Sequence, residues 1–195
     1  MGKGRMEAFS DGVIAIIITI MVLELNVPAG AALADLKPMA PVLLGYVLSF
    51  IYVGIYWNNH HHLLHAVKSV NGPILWANLH LLFWLSVVPL ATAWMGGHPL
   101  ARAPTAAYGV VLLMNAIAFT ILSACLLRHE GPDSTLAKAF GRDYKGKTSL
   151  AFYGLAIAAA PFAPAVSVAL YVTVAGIWFL PDRRIERALG MAPGA

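Results

Sequence analysis

Apolar residues run through this chain in long unbroken blocks, and the polar positions are gathered into short breaks between them. A helix crossing the hydrocarbon core of a bilayer needs about 20 mainly apolar residues, because every backbone N–H and C=O must be satisfied inside the segment. On that ruler the pattern predicts six spans, near 8–27, 40–63, 73–96, 104–127, 145–161 and 165–181. The breaks carry turn chemistry: Pro28, Gly30 and Pro38; Asn71, Gly72 and Pro73; Gly96, Gly97 and Pro99; Gly131 and Pro132; Pro161 and Pro164. From Tyr144 to Leu180 the apolar run is too long for one crossing and just long enough for two, turned at Pro161 to Pro164. The expected fold is therefore an all-α membrane protein, residues 1–195 forming a single six-helix domain.

Charge fixes the expected topology. Cytoplasmic loops hold an excess of Lys and Arg. Six crossings put Lys3, Arg5, Lys68, Arg128, Lys138, Arg142, Lys145, Lys147, Arg183, Arg184 and Arg187 on one side and only Lys37 and Arg102 on the other. Merging the last two spans would move three of those arginines across and weaken the asymmetry. Both termini are thus expected in the cytoplasm. A signal peptide competes for the first span, since Lys3 and Arg5 precede the apolar run and Ala32-Leu33-Ala34 resembles a cleavage site; Asp11 and Glu24 at the edges of the run argue against it. The stretch 129–147, with Asp133 or Ser134 as N-cap, reads as a short amphipathic cytoplasmic helix.

Composition agrees with the pattern. Hydrophobic residues make up 59% of the chain and charged residues 11%, against about 25% in an average soluble domain. With a mean hydropathy of +0.74, too few polar groups remain to coat a water-soluble globule. The net charge of +4 is too small and scattered for nucleic-acid binding, and the lone Cys125 permits no internal disulfide.

Function is then sought where polarity persists inside the membrane, at about 2.5–3.5 kcal/mol per charged group at mid-bilayer. The first span is the richest case. At 100° per residue, Gly12, Ile16, Thr19, Ile20 and Leu23 fall on one narrow stripe, while Ser10 and Asp11 point well away from it. The stripe has two readings. It is a lipid-facing or core ridge, with Thr19 bonding back to its own helix; or several copies of the helix surround an axis, stacking Ile16, Ile20 and Leu23 as apolar rings with a hydroxyl ring between them, a constriction of the kind that gates ions by dewetting. Asp11 is likewise either a headgroup-level carboxylate or a buried anchor fixing the rotation of the helix.

Donors for such an anchor end the second span, Trp57-Asn58-Asn59-His60-His61-His62, and begin the third, Trp76-Ala77-Asn78. His61 and His65 have the i, i+4 spacing of a metal pair, but no Cys and no nearby Glu completes a ligand set, so no metal or cofactor is expected. His98 and His129 read as loop residues. Walker, dinucleotide, nucleophile-elbow and HExxH patterns are absent, which argues against an enzyme, and so is a TVGYG filter.

The opening Arg5-Met6-Glu7-Ala8-Phe9-Ser10-Asp11-Gly12-Val13 resembles the signature, arginine then Phe-Ser-Asp, of the family of the lysosomal potassium channel called transmembrane protein 175, in its prokaryotic form of one six-helix unit per chain. The likeness continues through Ala15, Ile16, Thr19 and Leu23-Glu24-Leu25, Trp57 with His60 and His61, Asn78 and Pro89. It implies a homotetramer whose first helices line a potassium-permeable pore. Ile16 would be the main constriction, Ile20 and Leu23 further rings, and Thr19 the hydroxyl layer tied to selectivity. Arg5, Phe9, Ser10, Asp11, Trp57, His60, His61 and Asn78 would form the network holding that helix. One departure is Leu90-Ala91 after Pro89, where the family pattern leads one to expect Phe and Pro. The competing functional reading, from the residues alone, is a proton-coupled transporter or proton-permeable channel using Asp11 and His60 to His62. Against a transporter, the spans show no pair of interrupted helices in matching positions.

Overall fold

The computed structural model describes residues 2–28, 30–134, 136–137 and 144–179. Among these the chain forms six α-helices and no strand: α1 Gly4–Leu23, α2 Ala40–His65, α3 Gly72–Gly97, α4 Arg102–Glu130, α5 Tyr144–Ala159 and α6 Pro164–Phe179, with a short 3-10 helix, Leu33–Met39, leading into α2. The first four are long and apolar enough to cross a bilayer. At 16 residues each, α5 and α6 reach about 24 Å at 1.5 Å per residue. Lys138, Arg142, Arg183, Arg184 and Arg187 of the charge argument lie outside the described residues, as do residues 135 and 138–143 of the expected amphipathic helix; Ser134 Oγ does accept from Ala137 N at 3.1 Å.

The helix ends follow local chemistry. Asn71 caps α3, its Oδ1 accepting from Ile74 N at 3.2 Å, with Pro73 placed where its missing N–H is harmless. Gly131, at φ 86°, stops α4 in a backbone conformation that other residues rarely adopt. Pro164 opens α6 after the tight turn from Ala159. The largest departure from expectation is α1, which starts at Gly4 and ends at Leu23 where 8–27 was expected. The polar segment from Gly4 to Glu7 is helical because nothing before Glu24-Leu25-Asn26 interrupts its backbone ladder, and hydropathy alone does not register that.

The element at the middle of the bundle is α3, packing on α1, α2 and α4, while α5 and α6 form a hairpin against α4 and α2. At one end α2 and α3 cross closely: a Cβ on Gly96 would meet the Val42 Cα at 3.0 Å, so glycine sets the crossing. At the other end Lys3 Nζ donates to Leu64 O (2.7 Å) and His65 O (3.2 Å), tying the start of α1 to the end of α2. His129, expected in a loop, sits in the last turn of α4; it bonds Ser69 at 3.0 Å and Asn71 at 3.3 Å across the α2–α3 turn.

Buried polar pairs join the helices between these ends. Ser49 meets Tyr108 Oη at 2.9 Å and accepts from Thr92 at 2.7 Å; Tyr52 Oη donates to Tyr171 O at 2.6 Å; Tyr171 Oη donates to Thr105 O at 3.0 Å.

Candidate functional site

Two faces divide α1. Met6, Ser10, Ile14, Ile17 and Met21 recur at three- and four-residue intervals and are buried against α2 and α3, Ile14 and Met21 at 2% exposure. Ile16 (58% exposed), Thr19, Ile20 and Leu23 (80%) lie on the opposite face and touch little of their own chain. The core-ridge reading of this stripe is thereby removed. Thr19 Oγ1 donates to Ile16 O at 2.9 Å, which uses its single proton and leaves the oxygen of this exposed residue able only to accept.

On the buried face the anchor is a directed chain. Ser10 Oγ donates to Met6 O at 2.8 Å, so it accepts from Asn78 Nδ2 at 2.9 Å. With its amide thus oriented, Asn78 Oδ1 accepts from His60 Nε2 at 2.7 Å. All three residues are buried, which makes each missing partner costly in a low-dielectric interior. Of the three consecutive histidines, His60 is the one joined to Asn78. A second, more exposed contact runs beside it: Trp57 Nε1 donates to Asp11 Oδ1 at 3.0 Å. His61 joins neither; its Nδ1 lies 3.5 Å from Glu7 Oε1 and its ring stacks between Trp57 and His65.

Arg5 and Phe9 are not drawn into this network. Both are exposed, Phe9 at 55%, with no hydrogen bond or ion pair among the described residues. The signal that places them was in the spacing: at 100° per residue Arg5 and Phe9 fall on the same stripe as Ile16 and Leu23, so they extend the exposed edge of α1 and not its buried one. Beside that edge a groove of about 440 Å³ separates α1 from α3; Ile16, Ile20 and Glu24 form one wall, and Ser86, Pro89 and Leu90 the other.

Six packed helices, four of them long and apolar, define a polytopic all-α membrane protein in which buried side chains such as Asn78, His60, Ser49 and Tyr108 join one helix to the next. Residues 5–89 match the family model described as endosomal/lysosomal potassium channel TMEM175. A potassium channel of Chryseobacterium sp. (strain P1-3) is 57% identical over 189 residues, 97% of this chain and 98% of that protein. The crystal structure of a lysosomal potassium-selective channel TMEM175 homolog from Chamaesiphon minutus matches with a TM-score of 0.80 at 29% identity, covering 92% of this chain and 97% of that chain. The endosomal/lysosomal proton channel TMEM175 of Homo sapiens is 36% identical over 121 residues, 55% of this chain but 22% of the human protein. The chain belongs to the TMEM175 family, whose members are ion channels and not enzymes.

Proposed function

We propose that this chain is the subunit of a passive, potassium-permeable channel in a prokaryotic plasma membrane, with four copies surrounding a central pore and both termini in the cytoplasm. The observation that carries the proposal is the exposed edge of α1: Ile16, Thr19, Ile20 and Leu23 face away from a subunit that has otherwise packed this helix tightly. Around a fourfold axis, Ile16, Ile20 and Leu23 become stacked apolar rings that gate by dewetting. The Thr19 oxygens form a layer able to replace part of a cation's hydration. Ser10, Asp11, Trp57, His60 and Asn78 hold the helix at the rotation that turns this edge inward. Arg5 and Phe9 then stand at the inner mouth between neighbouring subunits. The names of the bacterial relatives supply the permeant ion.

Bilayer recordings of the purified protein in asymmetric potassium and sodium test this. The reversal potential is expected to follow the potassium gradient. The mammalian relatives are named proton channels, and Asp11 lies on the proposed pore helix with His60 of α2 packed beside that helix, so a pH gradient is applied in the same experiment. A reversal potential that follows pH and ignores potassium overturns the potassium reading in favour of the proton one.

A further inference from the structure

Away from α1, an open cleft of about 420 Å³ lies between the first turn of α3 and the last turns of α4, within the size range of ligand sites. Pro73 and Cys125 form its apolar part, and Asn71, Arg128 and His129 its rim. The rim is pre-organised. Asn71 Oδ1 already accepts from Ile74 N, so the amide N–H group faces His129 Nδ1, which accepts at 3.3 Å, while Nε2 meets Ser69 Oγ at 3.0 Å. Both ring nitrogens of His129 are thus used in pinning α4 to the start of α3. Glu130 is similarly occupied, its Oε1 accepting from Lys68 N at 3.0 Å. Arg128 is exposed, and its guanidinium makes no hydrogen bond or ion pair among the described residues.

The depth of the cleft in the bilayer can be read from α3. Trp76 (75% exposed) and Trp94 are both exposed and lie on one face, because 18 residues at 100° complete whole turns. Their separation along the helix is about 27 Å at 1.5 Å per residue, close to the roughly 30 Å hydrocarbon core whose borders tryptophan favours. Pro73, one turn before Trp76, therefore stands about 5 Å outside the hydrocarbon. That is the layer of the lipid phosphates, and the exposed Arg128 lines the same cleft as Pro73.

The geometry points to a binding site for the phosphate group of an anionic phospholipid, one per chain, with Arg128 as its cationic contact, Pro73 beside it at headgroup level and Cys125, about one turn of α4 from Arg128, toward the acyl chains. The choice of a lipid over a soluble anion follows from charge complementarity at headgroup depth and from the apolar walls. It rests on the orientation proposed above, which puts this end in the cytoplasmic leaflet, but not on ion conduction.

The test is native mass spectrometry of the full chain purified in detergent with phosphatidylglycerol and phosphatidylcholine supplied together. Wild type is expected to retain phosphatidylglycerol preferentially, Arg128→Gln to lose about fivefold in that retention, and Arg128→Lys to fall between. Because Arg128 is exposed, the variants are expected to elute like wild type on size exclusion. Equal phosphatidylglycerol retention by wild type and Arg128→Gln overturns the site. So does competition by inorganic phosphate that removes the lipid as well as raising thermal stability through Arg128, since the occupant is then a free anion. A channel without potassium current but with Arg128-dependent lipid retention would separate this inference from the functional one.

Discussion

Ile16, Thr19, Ile20 and Leu23 differ from Ile14, Ile17 and Met21 chiefly in their angle around one helix, yet that angle divides side chains that fill the subunit from side chains that leave it open. If the open set forms the constriction, a polar group at its middle should let water in. Ile16→Asn is expected to raise basal potassium efflux from proteoliposomes severalfold, read by a fluorescent flux assay, because a wetted ring no longer excludes ions. Unchanged flux would remove Ile16 from the gate. Thr19→Ala keeps the helix, since the lost bond is internal to it, and is expected to shift the reversal potential under potassium–sodium gradients and leave assembly intact. Gly109 acts on a different quantity. A Cβ there would collide with Tyr171 Oη, the group that bonds Thr105 O, so Gly109→Ala is expected to cost about 1–3 kcal/mol, seen as a lower thermal midpoint without altered selectivity.

At the scale of elements, α1 is held by a chain of buried hydrogen bonds, by Lys3 and Glu7 at the end of α2, and by the partly exposed Trp57–Asp11 contact, which is open to a double-mutant cycle. Asp11→Ala and Trp57→Phe should each lower the assembled fraction on size exclusion and the thermal midpoint. Together they should cost less than the sum of the two, with a coupling of about 1 kcal/mol, because each removes the same 3.0 Å bond. Additive losses would mean that Asp11 and Trp57 act independently. The element boundaries were largely legible beforehand, because bilayer thickness sets helix length and Pro28, Pro73, Gly131 and Pro161 mark breaks that hydropathy also shows. The start of α1 was not, since its first turn is helical yet polar. The resemblance assigned Arg5 and Phe9 to the anchor as a block, although helical angle alone separates them from Ser10 and Asp11. Choosing His60 over His61 and His62 required knowing which face of α2 meets Asn78, and the Ser49, Tyr108 and Thr92 cluster required knowing that three helices converge there. Such contacts join residues 18 to 59 positions apart, beyond the reach of any local pattern.

For the whole molecule, the two ends of the bundle are unlike, and that difference carries the proposed orientation. One end gathers Lys3, Lys68, Arg128 and His129 around hydrogen bonds to helix-terminal carbonyls and turn residues. The other holds the 3-10 helix after α1 and the short α3–α4 turn, where Lys37 and Arg102 are the basic residues. An excess of basic residues retains a segment on the cytoplasmic side during insertion, so the Lys3 end should face inward whatever the subunit number. Single-cysteine variants in a Cys125→Ser background decide it. Leu33 is exposed in the 3-10 helix and Lys68 is exposed in the α2–α3 turn, so either accepts a cysteine without disturbing the packing. In intact spheroplasts a membrane-impermeant maleimide is expected to label Leu33→Cys and spare Lys68→Cys, which should react only after permeabilisation. The reverse pattern would invert the protein, place Glu24 at the cytoplasmic mouth of the pore, and put Arg128 in the outer leaflet.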